Sequence, residues 1–286
     1  MNKKLTFSFS KYSKTIELNW SRVGFIIWDL NGTLAPEDPA AAEITEHATL
    51  MLFREFFKDQ GLHLGVEEIS ALCENVLSGK NPADHPLFEY GRAQGIDMGA
   101  LSHPYYANLH QDIMIDLAHM YDAPAYCKDT ARSMAHFSPI RRQFVMTHAT
   151  ENWIRYVLER MKLPGLHDSS RIYSIRDLPG RKDERPEAYE HICAQHGLDP
   201  SDGLVVDNDI SKLAMAASAG CQVVLIDPER KTENHIPSFL SAVFKDIRHL
   251  AQHFQIYLTH LPEDFPDKQE INRRDPELLN LPGWVA

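Results

Sequence analysis

The sequence predicts an α/β protein, a doubly wound parallel sheet interrupted by an α-helical insertion. Three observations carry this expectation. Short aliphatic runs recur along the chain, and each stops at a polar cluster, as buried strands of a parallel sheet do. Helical periodicities separate most of these runs. One long interval, 37–136, has helical spacing but almost no strand signal.

The first strand is Val23-Gly24-Phe25-Ile26-Ile27-Trp28, a continuous apolar run suited to burial on both faces. It gives way to Asp29-Leu30-Asn31-Gly32-Thr33-Leu34, where polar residues and a glycine enforce a turn. Within the insertion, apolar spacing predicts helices over 44–58, 66–77 and 105–121, separated by loops containing Pro and Gly. The second strand is Gln143-Phe144-Val145-Met146, ending at Thr147-His148. A helix follows from Glu151 to Met161, with Trp153, Ile154, Val157, Leu158 and Met161 on one face. Another runs from Pro186 to His196 and stops at Gly197. The third strand, Gly203-Leu204-Val205-Val206, ends at Asp207-Asn208-Asp209; an alanine-rich helix spans Lys212 to Ala219 and stops at Gly220. Gln222 to Ile226 forms the next strand, ending at Asp227-Pro228, and one strand-helix piece is expected over 242–253. The expected division is therefore 1–36 as the first part of the core, 37–136 as an insertion placed over the strand ends, and 137–286 as the second part.

Bulk composition narrows the function. Apolar residues make up 43% of the 286, enough for a sizeable core. The net charge of −11 argues against a nucleic-acid polymer or an anionic membrane as partner through bulk electrostatics. Cys73, Cys127, Cys193 and Cys221 show no C-x-x-C spacing, so reduced, buried thiols are expected. No apolar stretch reaches the length of about 18 residues that a membrane helix needs, and the N-terminus lacks a signal peptide's apolar core. A cytoplasmic protein is expected, with its oligomeric state left open.

Carboxylates at adjacent strand ends, Asp29 and Asp207, form a natural magnesium site, because this hard cation takes oxygen ligands. Thr147 and a basic residue from the loop before Pro186 would converge with them. Such a set can bind a phosphoryl group, with a carboxylate attacking phosphorus and a hydroxyl and an ammonium holding its oxygens.

The motifs resemble those of the haloacid dehalogenase (HAD) superfamily. Asp29-Leu30-Asn31-Gly32-Thr33-Leu34 looks like its first motif, D-x-D-G-T-L, with Asn31 in place of the second Asp. Thr147 stands where the family has its Ser/Thr motif. Lys182 with Pro186-Glu187-Ala188-Tyr189 resembles the lysine motif K-P-x-P-x-x-Y, with a slightly longer spacing here. Asp207-Asn208-Asp209 before Ala216-Ala217-Ser218-Ala219-Gly220 resembles the acidic fourth motif. The insertion has the position of the family's helical C1 cap. Its stretch with Gly95-Ile96-Asp97, His110, Ile115-Asp116 and Tyr121-Asp122 is similar to the pyrimidine 5′-nucleotidase-like branch.

The resemblance implies a Rossmann-like core and a Mg²⁺-dependent phosphohydrolase acting on a small phosphorylated metabolite, such as a nucleoside monophosphate. Asp29 would be nucleophile and metal ligand, with the Asn31 carbonyl, Asp207, and Asn208 or Asp209 completing the magnesium site. Thr147, Lys182, His148 and Gly32 would bind the phosphoryl group.

Asn31 sets the expected difficulty. The Asp it replaces would protonate the leaving group and later deprotonate water, a contribution of about 10²–10⁴ in rate. His148 is the candidate substitute. Two alternatives follow. One is a weakened protein that binds a phosphorylated ligand or partner. The other is different chemistry on the same scaffold, either phosphoryl transfer or attack on carbon as in dehalogenases. A phosphonate-cleaving version would need a lysine of the insertion, and neither Lys58 nor Lys80 has a supporting context. His110, Asp112, Asp116, His119 and Asp122 are expected to form a polar helix face rather than a metal cluster.

Overall fold

The computed structural model describes residues 18–260, apart from 36–38, 74–85, 121–125, 150, 162, 164–165, 167–168, 175, 230–231 and 233–235. The chain divides into two compact units, Met1–Pro36 with Ala125–Ala286, and Glu37–Pro124.

The first unit is built on a fully parallel six-stranded sheet. Its strands are β1 (Phe25–Trp28), β2 (Arg142–Met146), β3 (Ile172–Tyr173), β4 (Gly203–Asp207), β5 (Gln222–Ile226) and β6 (Ala242–Phe244). They lie in the order β3-β2-β1-β4-β5-β6. β1 is therefore central, with Phe25 level with both Arg142 and Gly203. Its alternating side chains enter two cores. Ile26 and Trp28 pack with Ile154, Val206 and Phe254 on one face. Phe25 and Ile27 pack with Phe144, Tyr189, Ile192 and Leu213 on the other. Burial of each such side chain is worth about 1.5–3 kcal/mol, which fixes β1 more firmly than any edge strand.

Helices α5 (Tyr126–Ala135), α6 (Glu151–Met161), α7 (Glu187–His196), α8 (Ile210–Ser218) and α9 (Ile247–Thr259) complete this unit. α6 spans the expected residues. α7 ends at Gly197, whose φ of +61° provides the left-handed stop read from the sequence. α5 falls inside the expected insertion, but it packs against α6 and α9 and so lies in the first unit. The division thus comes at Pro124 rather than 136.

The second unit contains α1 (Pro39–Asp59), α2 (Val66–Cys73), α3 (Pro86–Ala93) and α4 (Pro104–Met120). Phe53, Phe56, Phe57, Ile69, Leu87, Met98 and Tyr106 form its own core. His110 meets Thr49 through Nε2 and Oγ1 at 3.3 Å, and Lys58 pairs with Glu55 on the surface. Lys80 and Asp122 lie outside the described residues. No helix among the described residues is long and apolar enough to cross a membrane.

Candidate active site

The strand order reverses direction at β1 and β4, and in open α/β sheets the crevice beyond such a point is where ligands bind. Asp29 leaves the sheet there: its N–H donates to the Val206 carbonyl at 2.9 Å, so its carboxylate starts level with the end of β4. The chain then turns sharply, with Gly32 N–H donating to Ala35 O and Ala35 N–H to Leu30 O. Gly32 has a φ of +80°, and a Cβ at this position would lie 2.1 Å from Asn208 Nδ2. Only glycine allows both the turn and the close approach of Asn208.

Asp29, Thr147, Lys182 and Asp207 are all buried. Lys182 joins the two carboxylates. Its ammonium donates to Asp29 Oδ1, to Asp207 Oδ2 at 2.8 Å and to the Met146 carbonyl at 2.9 Å. Three acceptors use all three N–H donors of an ammonium. Burial pulls the Lys182 pKa down, but Asp29 and Asp207 more than offset this and hold it above the ordinary lysine value. Lys182 is therefore charged, and its donors are directed at the protein.

The Thr147 hydroxyl accepts from Ala149 N–H at 3.2 Å, and its N–H donates to Tyr173 O at 3.0 Å. This leaves the hydroxyl proton available for an incoming oxygen.

Asp207 is occupied on both sides. Besides Lys182 on Oδ2, its Oδ1 accepts from Asp209 N–H at 2.9 Å and lies 3.7 Å from Lys212 Nζ. Asp209 is engaged in turn, its Oδ1 accepting from Ser211 N–H and Ser211 Oγ as the N-cap of α8. Burial raises the Asp209 pKa, and the Ser211 hydrogen bonds outweigh it to leave a lowered value.

The magnesium ion implied by the motif resemblance can be tested against this donor set. Among the described residues, no group of three or more His, Cys, Asp or Glu side chains is arranged to hold a metal ion. Two buried oxygens at the crevice nevertheless have no partner, Asp29 Oδ2 and Asn208 Oδ1. Such orphaned oxygens are destabilising unless a cation or donor satisfies them, and they fit a hard cation. Asn208 thus offers the open oxygen, whereas those of Asp207 and the capping oxygen of Asp209 are engaged.

Asn31 is exposed, and its Oδ1 accepts from Trp153 Nε1 at 3.1 Å. Trp153 was legible only as an apolar position on α6. His148, the candidate acid substitute, is already engaged in the lysine loop. Its Nε2 accepts from the Lys182 backbone N–H at 3.1 Å. Burial, with Lys182 second, lowers its pKa to about 4. At neutral pH it is an uncharged acceptor that anchors the lysine loop. Lys212 and the Tyr189 hydroxyl, which donates to the Lys212 carbonyl at 3.0 Å, had no role in the sequence reading. A cavity of about 580 Å³, lined by Trp20, Phe25, Arg142 and Tyr257, opens at the opposite ends of the strands and contains none of these residues.

No protein-family model matches the sequence, and no curated protein matches it. Solved structures do resemble the chain. CbbY from Rhodobacter sphaeroides in complex with phosphate is 16% identical, with a TM-score of 0.51 over 80% of this chain and 96% of that one. A mutant CbbY in complex with xylulose-(1,5)bisphosphate is 17% identical, with a TM-score of 0.50 over the same shares. At such identities the likeness is one of fold alone, a Rossmann-like α/β core with a parallel sheet.

Proposed function

We propose that the protein is a phosphohydrolase of HAD type that acts on a small phosphorylated metabolite through an aspartyl-phosphate on Asp29. One observation carries this reading: a nucleophile-grade carboxylate, buried at the sheet's switch point, is held through one oxygen by a charged lysine while the other oxygen has no partner. The Asp29 carboxylate would attack phosphorus, forming an O–P bond as the bond to the leaving oxygen breaks. Lys182 holds Asp29 and Asp207 in place, and the Thr147 hydroxyl donates to a phosphoryl oxygen. Water then attacks phosphorus, releasing inorganic phosphate and restoring Asp29. Magnesium would be held by the Asp29 carboxylate and the Asn208 amide oxygen, and would neutralise phosphate charge. A nucleoside monophosphate is the narrower substrate class within this reading.

Asn31 cannot protonate a leaving alkoxide at neutral pH, and His148 is neutral with Nε2 already engaged. Substrates whose leaving group needs no proton, such as acyl and aryl phosphates, are therefore favoured. Phosphate release from acyl, aryl and alkyl phosphates tests this, with Asp29→Ala alongside. Release should fall in that order and vanish in the variant; release surviving Asp29→Ala would refute the mechanism.

The exposed Asn31 amide, held by Trp153, also favours a second reading, a protein that binds a phosphorylated ligand without turnover. It predicts saturable stabilisation by ligand with no phosphate released from any class of substrate. Brisk turnover of alkyl phosphates by the natural protein excludes it.

A further inference from the structure

We propose that Lys212, rather than Lys182, is the ammonium that contacts the bound phosphate. The inference rests on the phosphate reading above and assigns the anion contact within it. Lys182 has no donor left: Asp29, Asp207 and the Met146 carbonyl take all three, and its side chain is 1% exposed. To grip a phosphoryl oxygen it would have to abandon one of them. Of the other two cations of its loop, Arg181 is paired with Asp183 and Glu184, and Arg185 is exposed.

Lys212 differs on each count. Its ammonium lies 3.7 Å from Asp207 Oδ1, beyond hydrogen-bond distance, so its donors remain available beside the same carboxylate that Lys182 holds from the other side. Its side chain is 17% exposed, so a ligand can reach it. Its placement is also built. Asp209 caps α8, which puts Lys212 at the third helical position, and helical side chains lean back toward the N-terminus. The buried Tyr189 hydroxyl fixes that turn by donating to the Lys212 carbonyl. A lysine here opposes the helix dipole, which favours acids in the first turn. Local rules broken in this way mark functional positions. An incoming phosphate would supply the charge that completes the lysine's surroundings.

Calorimetric titration of inorganic phosphate into the full chain, in chelator-treated buffer, tests the assignment. Lys212→Met should weaken phosphate binding about 10- to 100-fold, the value of a charge-assisted hydrogen bond. Lys212→Arg should restore most of it. Circular dichroism should show Lys212→Met to be folded, with a modest loss of melting temperature because the lysine lies 3.7 Å from the buried Asp207 carboxylate. Tyr189→Phe, which only frees the turn, should weaken binding less than Lys212→Met. Unchanged phosphate affinity in a folded Lys212→Met would overturn the assignment while leaving Asp29-dependent hydrolysis intact. Lys212-dependent binding without any phosphate release would uphold it and refute the hydrolase reading. Absence of phosphate binding in the natural protein overturns it as well.

Discussion

Replacing Asn31 by aspartate should create a general acid–base group at the mouth of the crevice, and the structure sets the size of the gain. Asn31 is exposed, so the new carboxyl would start near the ordinary Asp value of about 3.9. The Trp153 indole N–H, 3.1 Å from Oδ1, would donate to the carboxylate and favour its charged form. At pH 7 only about one molecule in a thousand or fewer would then carry the proton. The gain should fall at the low end of the usual range, about 10² in kcat on alkyl phosphates. It should grow as pH falls toward 5, and grow further when Trp153→Phe removes the indole donor. Steady-state kcat across a leaving-group series reads this directly. Alkyl phosphates should gain most, while acyl phosphates gain only in the water-attack step. An equal gain on every leaving group, or none on alkyl phosphates in a folded variant, would refute the reasoning.

Two further outcomes concern stability. Gly32→Ala should destabilise the protein by about 1–3 kcal/mol, because a side chain must adopt positive φ and displace Asn208; a urea midpoint within about 0.5 kcal/mol of the natural protein would contradict it. His253 is buried, accepts from Trp20 Nε1 at 2.9 Å, and has its pKa lowered by burial to about 4. Its neutral form is the folded one, so stability is complete above about pH 6.5 and declines as pH falls toward 4, by up to about 3 kcal/mol. His253→Gln keeps an acceptor for Trp20 and should flatten the melting temperature between those limits. A variant as acid-sensitive as the natural protein would show that other groups control the decline.

The central strands were legible because burial on both faces demands unbroken apolar runs, as the fully buried β1 and β4 show. β3 was not, since its two residues at the sheet edge carry no pattern. α5 was missed because half of Tyr126–Ala135 is polar and its contributions to the core include only Met134 and the small Ala131 among the described side chains. In the candidate site, Asp29, Thr147 and Asp207 stood out as polar residues where aliphatic runs stop. Lys182 came from its spacing to Pro186 and Tyr189. That a lysine there would be saturated is a matter of three acceptors converging from β1, β2 and β4, which no local pattern records.

That saturation changes what each cation can do. A buried ammonium between two carboxylates stabilises the cluster only while every partner remains, since removing one leaves an uncompensated buried charge. Lys182 therefore acts as a fixed part of the framework and keeps Asp29 aligned before any ligand arrives. A group that must bind and release phosphate needs the opposite properties: exposure, spare donors and weak prior attachment. Lys212 has these at the same carboxylate, one turn into a helix whose cap and tyrosine anchor orient it. Separating alignment from anion capture between two lysines allows ligand exchange without disturbing the nucleophile.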